Sequence, residues 1–396
     1  MENKLSWDRT STLTLILCFT IALFEGFDLQ SMGVAALRMR TEFNLDTTQM
    51  AAAFSAATLG TLPGSILGGR LADFLGRKKV LIISIILFGI MSVLTAHASS
   101  FNLLLLIRFL TGLGMGGALP MMITIASEAV GERWKNTAVS IMYCGIPCGG
   151  LLTSVVALMF AGDQEWRYIF YVGGFIPLLL TPLLFWLLPE SRVYISTNRQ
   201  THPFSEVLFA RERIWGTMQI WVSFFGTLIV LYLLLNWLPS LMNSKGLSGA
   251  HANYIQMGFN IGGAVGTLAI GLFMDRLRIT FVISTIYVGI LASLGALAVS
   301  PGVVALTLSA VGCGAFLIGG QSALYALCAQ FYPTQMRGTG VGSAVAIGRL
   351  GSFVGPLFAG ALLTLGGANL VIGASIPVII IATIAALLLT RRFAKK

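Results

Sequence analysis

The sequence predicts an all-α membrane protein with twelve transmembrane helices in two six-helix pseudo-symmetric bundles. Of its 396 residues 56% are hydrophobic and only 10% are charged, whereas soluble domains carry about 25% charged residues. Apolar runs of about 20 residues, enough to cross the hydrocarbon core, recur along the chain. The two halves also share motifs at one constant offset. Membrane lipid is therefore the expected surroundings of this chain.

Six apolar runs precede the longest polar gap and six follow it. The predicted spans are 12–33, 48–68, 80–98, 101–126, 137–160, 168–188, 215–238, 250–272, 280–299, 302–328, 340–364 and 368–390. The gap at 189–214 predicts a cytoplasmic linker between an N-terminal bundle, residues 1–188, and a C-terminal bundle, residues 215–396.

The positive residues predict the orientation of these spans. With both termini in the cytoplasm, the inner segments hold nineteen Lys and Arg residues and the outer segments hold four. Such a bias is typical of topology determinants. The net charge of +10 is explained in this way, and we expect no nucleic-acid partner.

Residues typical of catalysis or metal binding are sparse. All five cysteines fall inside predicted spans, and His97, His202 and His251 lie near span ends or in loops. We find no Gly-x-Ser-x-Gly motif and no cluster with metal-ligand spacing. The sequence therefore predicts no catalytic residues, no metal and no cofactor, and an integral enzyme is the least favoured class.

Two acids interrupt the first span. Glu25 and Asp28 stand three residues apart and so share a helix face. A carboxylate inside the membrane is costly unless it faces a cavity or has a partner. We interpret the pair as a polar face on an aqueous path; the alternative is two acids reaching out to the membrane interface.

The two halves repeat at an offset of 202 residues. Gly69–Asp73 matches 271–275, and 135–139 matches 337–341 at the same offset. Single glycine matches are weak because glycine is abundant, but one offset that serves both loops is hard to obtain by chance. Such repeats are typical of transporters that rock around a midplane site.

The loop at 69–78 resembles the signature between helices 2 and 3 of the major facilitator superfamily. Residues 25–28 resemble the acidic helix-1 motif of its aromatic acid:proton symporters, and the stretches 142–147, 188–191, 236–239, 320–325 and 345–351 resemble the same family. Glu25 departs from the Asp that this motif often begins with, and Arg278 replaces a glycine in the second loop copy. The resemblance implies the major facilitator fold, alternating access and a monomer.

Arg108 is the expected partner of the helix-1 acids. It lies seven residues into span 4, about 10 Å deep, and Asp28 lies about 8 Å from the end of span 1. In the fold that the resemblance implies, both helices face the central cavity. We expect Asp28 or Glu25 to approach Arg108 and to carry the coupled proton. A static ion pair between helices is the alternative.

Arg349 is the second cation predicted inside a span. Its helical neighbours are apolar, so a buried guanidinium there is a candidate substrate-binding group, and its planar fork suits a carboxylate. The alternative is hydrogen bonding to backbone carbonyls at a glycine-rich kink.

Five further side chains could contact a substrate: three are aromatic with a polar tip, and two carry an amide. They fit a hydroxylated aromatic ring, which needs stacking surface and a few hydrogen bonds. These candidates are Gln321, Tyr325, Tyr143, Asn236 and Trp237. For Trp237 and Tyr143, interhelical hydrogen bonding or an interfacial position is an equally open interpretation.

The loop after span 2 predicts a different kind of site. The resemblance implies a conformational latch made by Gly69, Asp73, Gly76, Arg77 and Glu128, with Asp73 capping a helix and Arg77 pairing with Glu128. Positive-inside topology alone would explain the lysines of this loop, but not Asp73.

These features together favour proton-coupled uptake of a small aromatic carboxylate across a bacterial inner membrane, driven by the proton gradient. An exporter of organic anions or drugs on the same scaffold is the alternative within this class. A passive channel or sensor is the alternative from another class, and it would need no proton gradient.

Overall fold

The structure is a computed structural model that describes residues 8–130, 134–160, 162, 165–190, 204–333 and 337–393. Some side chains in these ranges are not described, among them those of residues 73, 74, 275, 276 and 337–339. Apart from Trp134, which has 3₁₀ geometry, every regular element in these ranges is an α-helix. The helices are α1 Arg9–Phe43, α2 Thr47–Leu75, α3 Arg77–Thr95, α4 Phe101–Glu128, α5 Lys135–Met159, α6 Trp166–Leu187, α7 Phe204–Phe209, α8 Ile214–Ser244, α9 Gly249–Arg276, α10 Ile279–Val299, α11 Val303–Phe331 and α12 Arg337–Phe393.

The longest helix, α12, contains two membrane spans. Its 57 residues would extend about 86 Å, nearly three times the hydrocarbon thickness, if the helix were straight. The helical backbone is interrupted at Gly366 and at Gly367, where φ is 70°, a conformation that glycine adopts without steric cost. The break falls in the gap between predicted spans 11 and 12, so the twelve predicted spans are all present as helix.

The structure differs from the prediction most clearly at the end of α1 and in one additional short helix. Helix α1 continues to Phe43, ten residues beyond the predicted end of span 1, because it stops only where Asn44 takes a left-handed conformation (φ 52°). A helix ends where its backbone is capped, whereas an apolar run ends with the hydrocarbon. The short helix α7 also lies inside the segment predicted as linker, with Val207 and Leu208 fully buried.

The chain forms two compact units, Met1–Thr197 and Asn198–Lys396. In the first unit α1 packs chiefly on α5, α2 on α4, and α3 on α4 and α6. In the second unit α8 packs on α12, α9 on α11, and α10 on α11 and α12. Since α12 holds the last two spans, each unit has the same internal pairing of helices.

Glycines at equivalent positions produce this pairing in both units. A Cβ atom on Gly112 would lie 1.8 Å from the carbonyl oxygen of Ala57, and one on Gly314 would lie 1.8 Å from that of Phe259. Both residues of the second pair stand 202 positions after those of the first. The same relation holds for Gly60 and Gly262, Gly64 and Gly266, and Gly149 and Gly351. Close backbone approach is therefore repeated, contact by contact, in each unit.

Candidate functional site

A buried ion pair joins α1 to α4 in the first unit. The Arg108 guanidinium lies with Nη2 3.0 Å from Oδ2 of Asp28, and its Nη1 donates to Oδ1 at 3.3 Å. Asp28 is 0% exposed and Arg108 is 1% exposed. Each charge compensates the other, because either charge alone so far from water would carry a large desolvation cost.

Two further residues complete the surroundings of this pair. The Ser92 hydroxyl, on α3, donates to Oδ1 of Asp28 at 2.7 Å, and the ring of Phe170, on α6, lies 5.9 Å from the Arg108 guanidinium carbon. Sequence reasoning missed both residues. Nothing in the sequence distinguishes Ser92 from other serines within spans, since its importance comes only from the packing of α3 beside α1 and α4.

Glu25 is buried on the same helix as Asp28, with 6% of its surface exposed. Of these two acids, Asp28 is the one that the structure places on Arg108. Glu25 is therefore buried among side chains of the first unit.

The second predicted cation, Arg349 on α12, is partly exposed. Its Nη1 donates to the hydroxyl of Tyr232 on α8 at 3.1 Å. Tyr232 was not among the residues singled out from the sequence, although it stands four positions before Asn236 and so shares its helix face. The structure thus places a phenol hydroxyl beside the guanidinium in the second unit.

Asn236 and Trp237 follow on the same helix, α8. The Asn236 amide donates to the Tyr232 carbonyl at 2.8 Å, and the Trp237 indole N–H donates to the Pro356 carbonyl of α12 at 3.1 Å. Trp237 is 3% exposed, and this contact is the interhelical hydrogen bond that the sequence left open as its alternative role.

Gln321 and Tyr325 meet on α11, as expected for positions four apart. The Gln321 amide donates to the Tyr325 hydroxyl at 3.4 Å, and the Tyr325 ring meets Phe224 of α8 edge to face, with centroids 5.3 Å apart. Tyr143 belongs to the first unit, where it packs half-buried against an apolar core cluster of that unit. The structure therefore does not bring all five candidates together within one unit.

Arg77, the first residue of α3, forms an ion pair with Glu128 at the end of α4. Gly76 has φ 90°, a left-handed conformation that glycine takes at little cost. A Cβ there would also lie 2.9 Å from the Glu190 carboxylate, whose Oε1 accepts a hydrogen bond from the Lys78 backbone at 3.0 Å. Gly69 has open space around it. The Asp73 side chain lies outside the described residues.

Long apolar helices with a charged pair buried inside one bundle define a polytopic membrane transporter. Eleven helices of the described residues are long and apolar enough to cross a membrane, and α12 accounts for two spans. The chain belongs to the Major Facilitator Superfamily, whose family model matches residues 18–354. It is a multi-pass transporter and not an enzyme, and the resemblance noted in the sequence is confirmed.

Curated relatives agree with this assignment. The chain is 46% identical to the 3-(3-hydroxy-phenyl)propionate transporter of Escherichia coli, over 96% of this chain and 94% of that protein. It is 34% identical to the gallate transporter of Pseudomonas putida, over 89% and 86% of the two chains. The inward-open xylose transporter of E. coli shares the fold, with a TM-score of 0.78, 17% identity, and coverage of 96% and 95%.

Proposed function

We propose that this transporter takes up a small aromatic carboxylate, 3-(3-hydroxyphenyl)propionate or a related acid, together with a proton by alternating access. The buried Asp28–Arg108 pair carries the proposal, since it couples a proton-accepting group to a group that attracts anions. The names of the relatives, transporters of hydroxyphenylpropionate and gallate, support the substrate class.

Coupling follows from the cost of leaving one buried charge alone. While Arg108 holds Asp28, the carboxylate stays ionised. When a substrate carboxylate draws the guanidinium away, Asp28 is left as a buried, uncompensated anion, which costs about 3–5 kcal/mol. Taking up a proton removes that cost, so binding of the anion and binding of the proton favour each other. Glu25, buried on the same helix, is the second candidate proton carrier.

Arg349 and Tyr232 form the second candidate anion site. Arg349 is more exposed than Arg108, and it donates to the neutral Tyr232 hydroxyl at 3.1 Å. An entering carboxylate would gain a charge-assisted hydrogen bond from this guanidinium. Gln321, Tyr325 and Asn236 offer hydrogen bonds for ring hydroxyls, with Tyr143 and Trp237 as further candidates.

The remaining features of the proposal concern the whole transporter. Both termini lie in the cytoplasm of a bacterium, the protein works as a monomer in the inner membrane, and the proton gradient is its only energy source. Arg77 and Glu128, with Asp73, Gly69 and Gly76, act as the latch of one conformational state.

The test is uptake into proteoliposomes with an imposed proton gradient and a panel of aromatic acids from benzoates to phenylpropionates. We expect concentrative uptake of a hydroxylated aromatic acid that a protonophore abolishes. Equilibration that is insensitive to the protonophore would favour a channel, and net export from loaded vesicles under an inward gradient would favour an exporter.

A further inference from the structure

Ser92 stands between two acceptors but has one proton to donate. Its Oγ lies 2.7 Å from Oδ1 of Asp28 and 3.3 Å from the backbone carbonyl oxygen of Phe170. The side chain is 0% exposed, so its proton goes to a protein acceptor and not to water. A buried hydroxyl in such a position is sensitive to the charge of its neighbours.

We propose that Ser92 is a positioning residue for proton coupling: its hydroxyl donates to ionised Asp28 and turns to the Phe170 carbonyl when Asp28 is protonated. The inference rests on the proposed proton coupling. In the ionised state the Ser92 O–H donates to Oδ1 of Asp28. In the protonated state the Asp28 O–H donates to Ser92 Oγ, and the Ser92 proton points to the Phe170 oxygen.

The proton balance of this step is simple. One proton arrives at the Asp28 carboxylate and stays there, and Ser92 only rotates about its Cβ–Oγ bond and neither gains nor loses a proton. Both states keep every hydroxyl proton hydrogen-bonded, so a neutral Asp28 is tolerated in a buried position where it would otherwise lack a partner.

The switch also connects Asp28 to the helix that contacts Arg108. Phe170 supplies both the carbonyl that receives the Ser92 proton and the ring that lies 5.9 Å from the Arg108 guanidinium carbon. A change in the protonation of Asp28 on α1 therefore changes the hydrogen bonds of Ser92 on α3 and of Phe170 on α6, beside Arg108.

Few other groups on the packed helices compete for control of Asp28. The charged ones nearest to it are Arg108 on α4 and Glu25 on α1 itself, because the stretches 47–69, 80–95, 137–159 and 168–187 of the neighbouring helices carry no Asp, Glu, Lys, Arg or His. The other charged residues of α1 and α4 lie toward the helix ends, at Arg9, Arg38, Arg40, Glu42 and Glu128. His97 follows the end of α3 and Arg167 stands at the start of α6. Weakly acidic side chains on α5 and α6 are Tyr143, Cys144, Cys148, Tyr168 and Tyr171.

The test measures protonation of Asp28 directly, by infrared titration of its carboxylic C=O stretch in the purified protein, assigned by its absence in Asp28→Asn. Ser92→Ala removes one donor from the ionised carboxylate, so the midpoint moves toward alkaline pH by about one unit. Ser92→Thr retains a hydroxyl and restores the wild-type midpoint. Ser84→Ala, which removes another buried hydroxyl of α3, leaves it unchanged.

Uptake by the same variants separates this proposal from the proposed function. The alkaline limb of the pH profile of uptake moves with the infrared midpoint in Ser92→Ala and not in Ser84→Ala. If the Ser92→Ala and wild-type titrations coincide while wild-type uptake remains proton-driven, the role of Ser92 is overturned and the coupling stands. If wild-type uptake does not depend on the proton gradient, the proposed proton coupling is refuted. The infrared midpoints of Ser92→Ala and the wild type then still test whether the Ser92 hydroxyl responds to the protonation of Asp28.

Should Ser92→Ala not accumulate in the membrane, Ser92→Cys provides the second measurement. A thiol is a weaker donor of similar size, so the infrared midpoint shifts in the same direction by a smaller amount. A Ser92→Cys midpoint equal to that of the wild type would contradict the switch.

Discussion

Asp28 has two polar neighbours, Arg108 and Ser92, and each restricts what it can do. Arg108 forms an ion-pair contact with Oδ2 at 3.0 Å and donates one hydrogen bond to Oδ1 at 3.3 Å, and Ser92 donates a second hydrogen bond to Oδ1. A purely structural contact between α1 and α4 would not need charge, because apolar residues of similar volume often hold buried interfaces as well or better. The ion pair is thus better explained by a change in its charge during transport than by stability.

The first prediction concerns the proton carrier. Asp28→Asn keeps the shape of the side chain and removes its charge, so we expect proton-driven uptake to fall by more than about tenfold, as loss of a charge-assisted hydrogen bond implies. Initial rates in proteoliposomes with and without a proton gradient measure the effect, with Glu25→Gln as the matched variant.

Exchange of labelled for unlabelled substrate, which needs no net proton movement, should survive in Asp28→Asn. Proton-driven uptake that persists in Asp28→Asn combined with Glu25→Gln would refute the role of both acids.

The second prediction concerns Tyr232. Tyr232→Phe removes the hydroxyl that accepts from Arg349 at 3.1 Å, so the guanidinium is less well oriented for a carboxylate. We expect the KM for the aromatic acid to rise about threefold to tenfold, the value of one hydrogen bond. Substrate-concentration curves of uptake measure it.

Tyr287→Phe is the control for this experiment. It removes a buried tyrosine hydroxyl of the same unit. That hydroxyl forms a hydrogen bond with the hydroxyl of Thr227, an uncharged residue, at 2.9 Å. We expect its KM to stay at the wild-type value. Equal KM changes in both variants would mean that loss of any buried hydroxyl perturbs the unit, and the specific role of Tyr232 would be rejected.

The sequence could predict the Arg108 partnership but not its full surroundings. Depth along a helix follows from residue counting, so Asp28 and Arg108 were expected at similar levels, and the structure places them in contact. Ser92 and Phe170 come from helices whose rotation about their own axes depends on tertiary packing. Counting along one sequence does not give that rotation.

At the scale of helices, glycine determines how closely the spans approach. Gly112 and Gly314 each leave room for a carbonyl oxygen that a Cβ would meet at 1.8 Å. Such a distance is far inside van der Waals contact, so an added methyl group must push α4 from α2 or α11 from α9.

The third prediction follows from this contact. Gly112→Ala and Gly314→Ala should each destabilise the protein by about 1–3 kcal/mol, as overpacking does, despite the higher helix propensity of alanine. The midpoint of thermal unfolding in detergent measures the loss.

Gly295→Ala is the matched control, because Gly295 is also inside a helix and nothing lies within 4 Å of its added Cβ. There only the propensity gain remains, so we expect an equal or higher midpoint. If all three variants unfold at one temperature, close glycine packing does not limit the stability of these helix pairs.

Element existence was easier to predict than element ends. The apolar runs located all twelve spans, because each must match the hydrocarbon thickness. The ends of α1 and the short helix α7 depend on capping and local packing, which hydropathy does not report. The break at Gly366 and Gly367 was placed correctly because two spans cannot fit one straight helix.

Across the whole molecule, the scaffold repeats but the charges do not. At the offset of 202 residues Asp28 corresponds to Val230 and Arg108 to Ala310, while Arg349 corresponds to Pro147. The glycine contacts recur in both units, so the repeated positions are those that set helix packing. The proposed chemistry is divided instead, with proton coupling in the first unit and a candidate anion site in the second.

The last prediction concerns the orientation of the whole chain. Nineteen positive residues on one set of segments against four on the other predict that both termini face the cytoplasm. Single cysteines at Ser99 and Lys79, both exposed positions, test this in a variant without the five native cysteines. They lie at opposite ends of α3, so one must face each side of the membrane.

We expect a membrane-impermeant maleimide to label the cysteine at position 99 in intact bacterial cells whose outer membrane has been permeabilised. The cysteine at position 79 should react only after the inner membrane is opened. The reverse pattern would invert the topology and place Arg77 and Glu128 on the outer side. The charge bias would then have failed as a topology signal, while the ion pair between Asp28 and Arg108 would be unaffected, because it depends only on packing within its own unit.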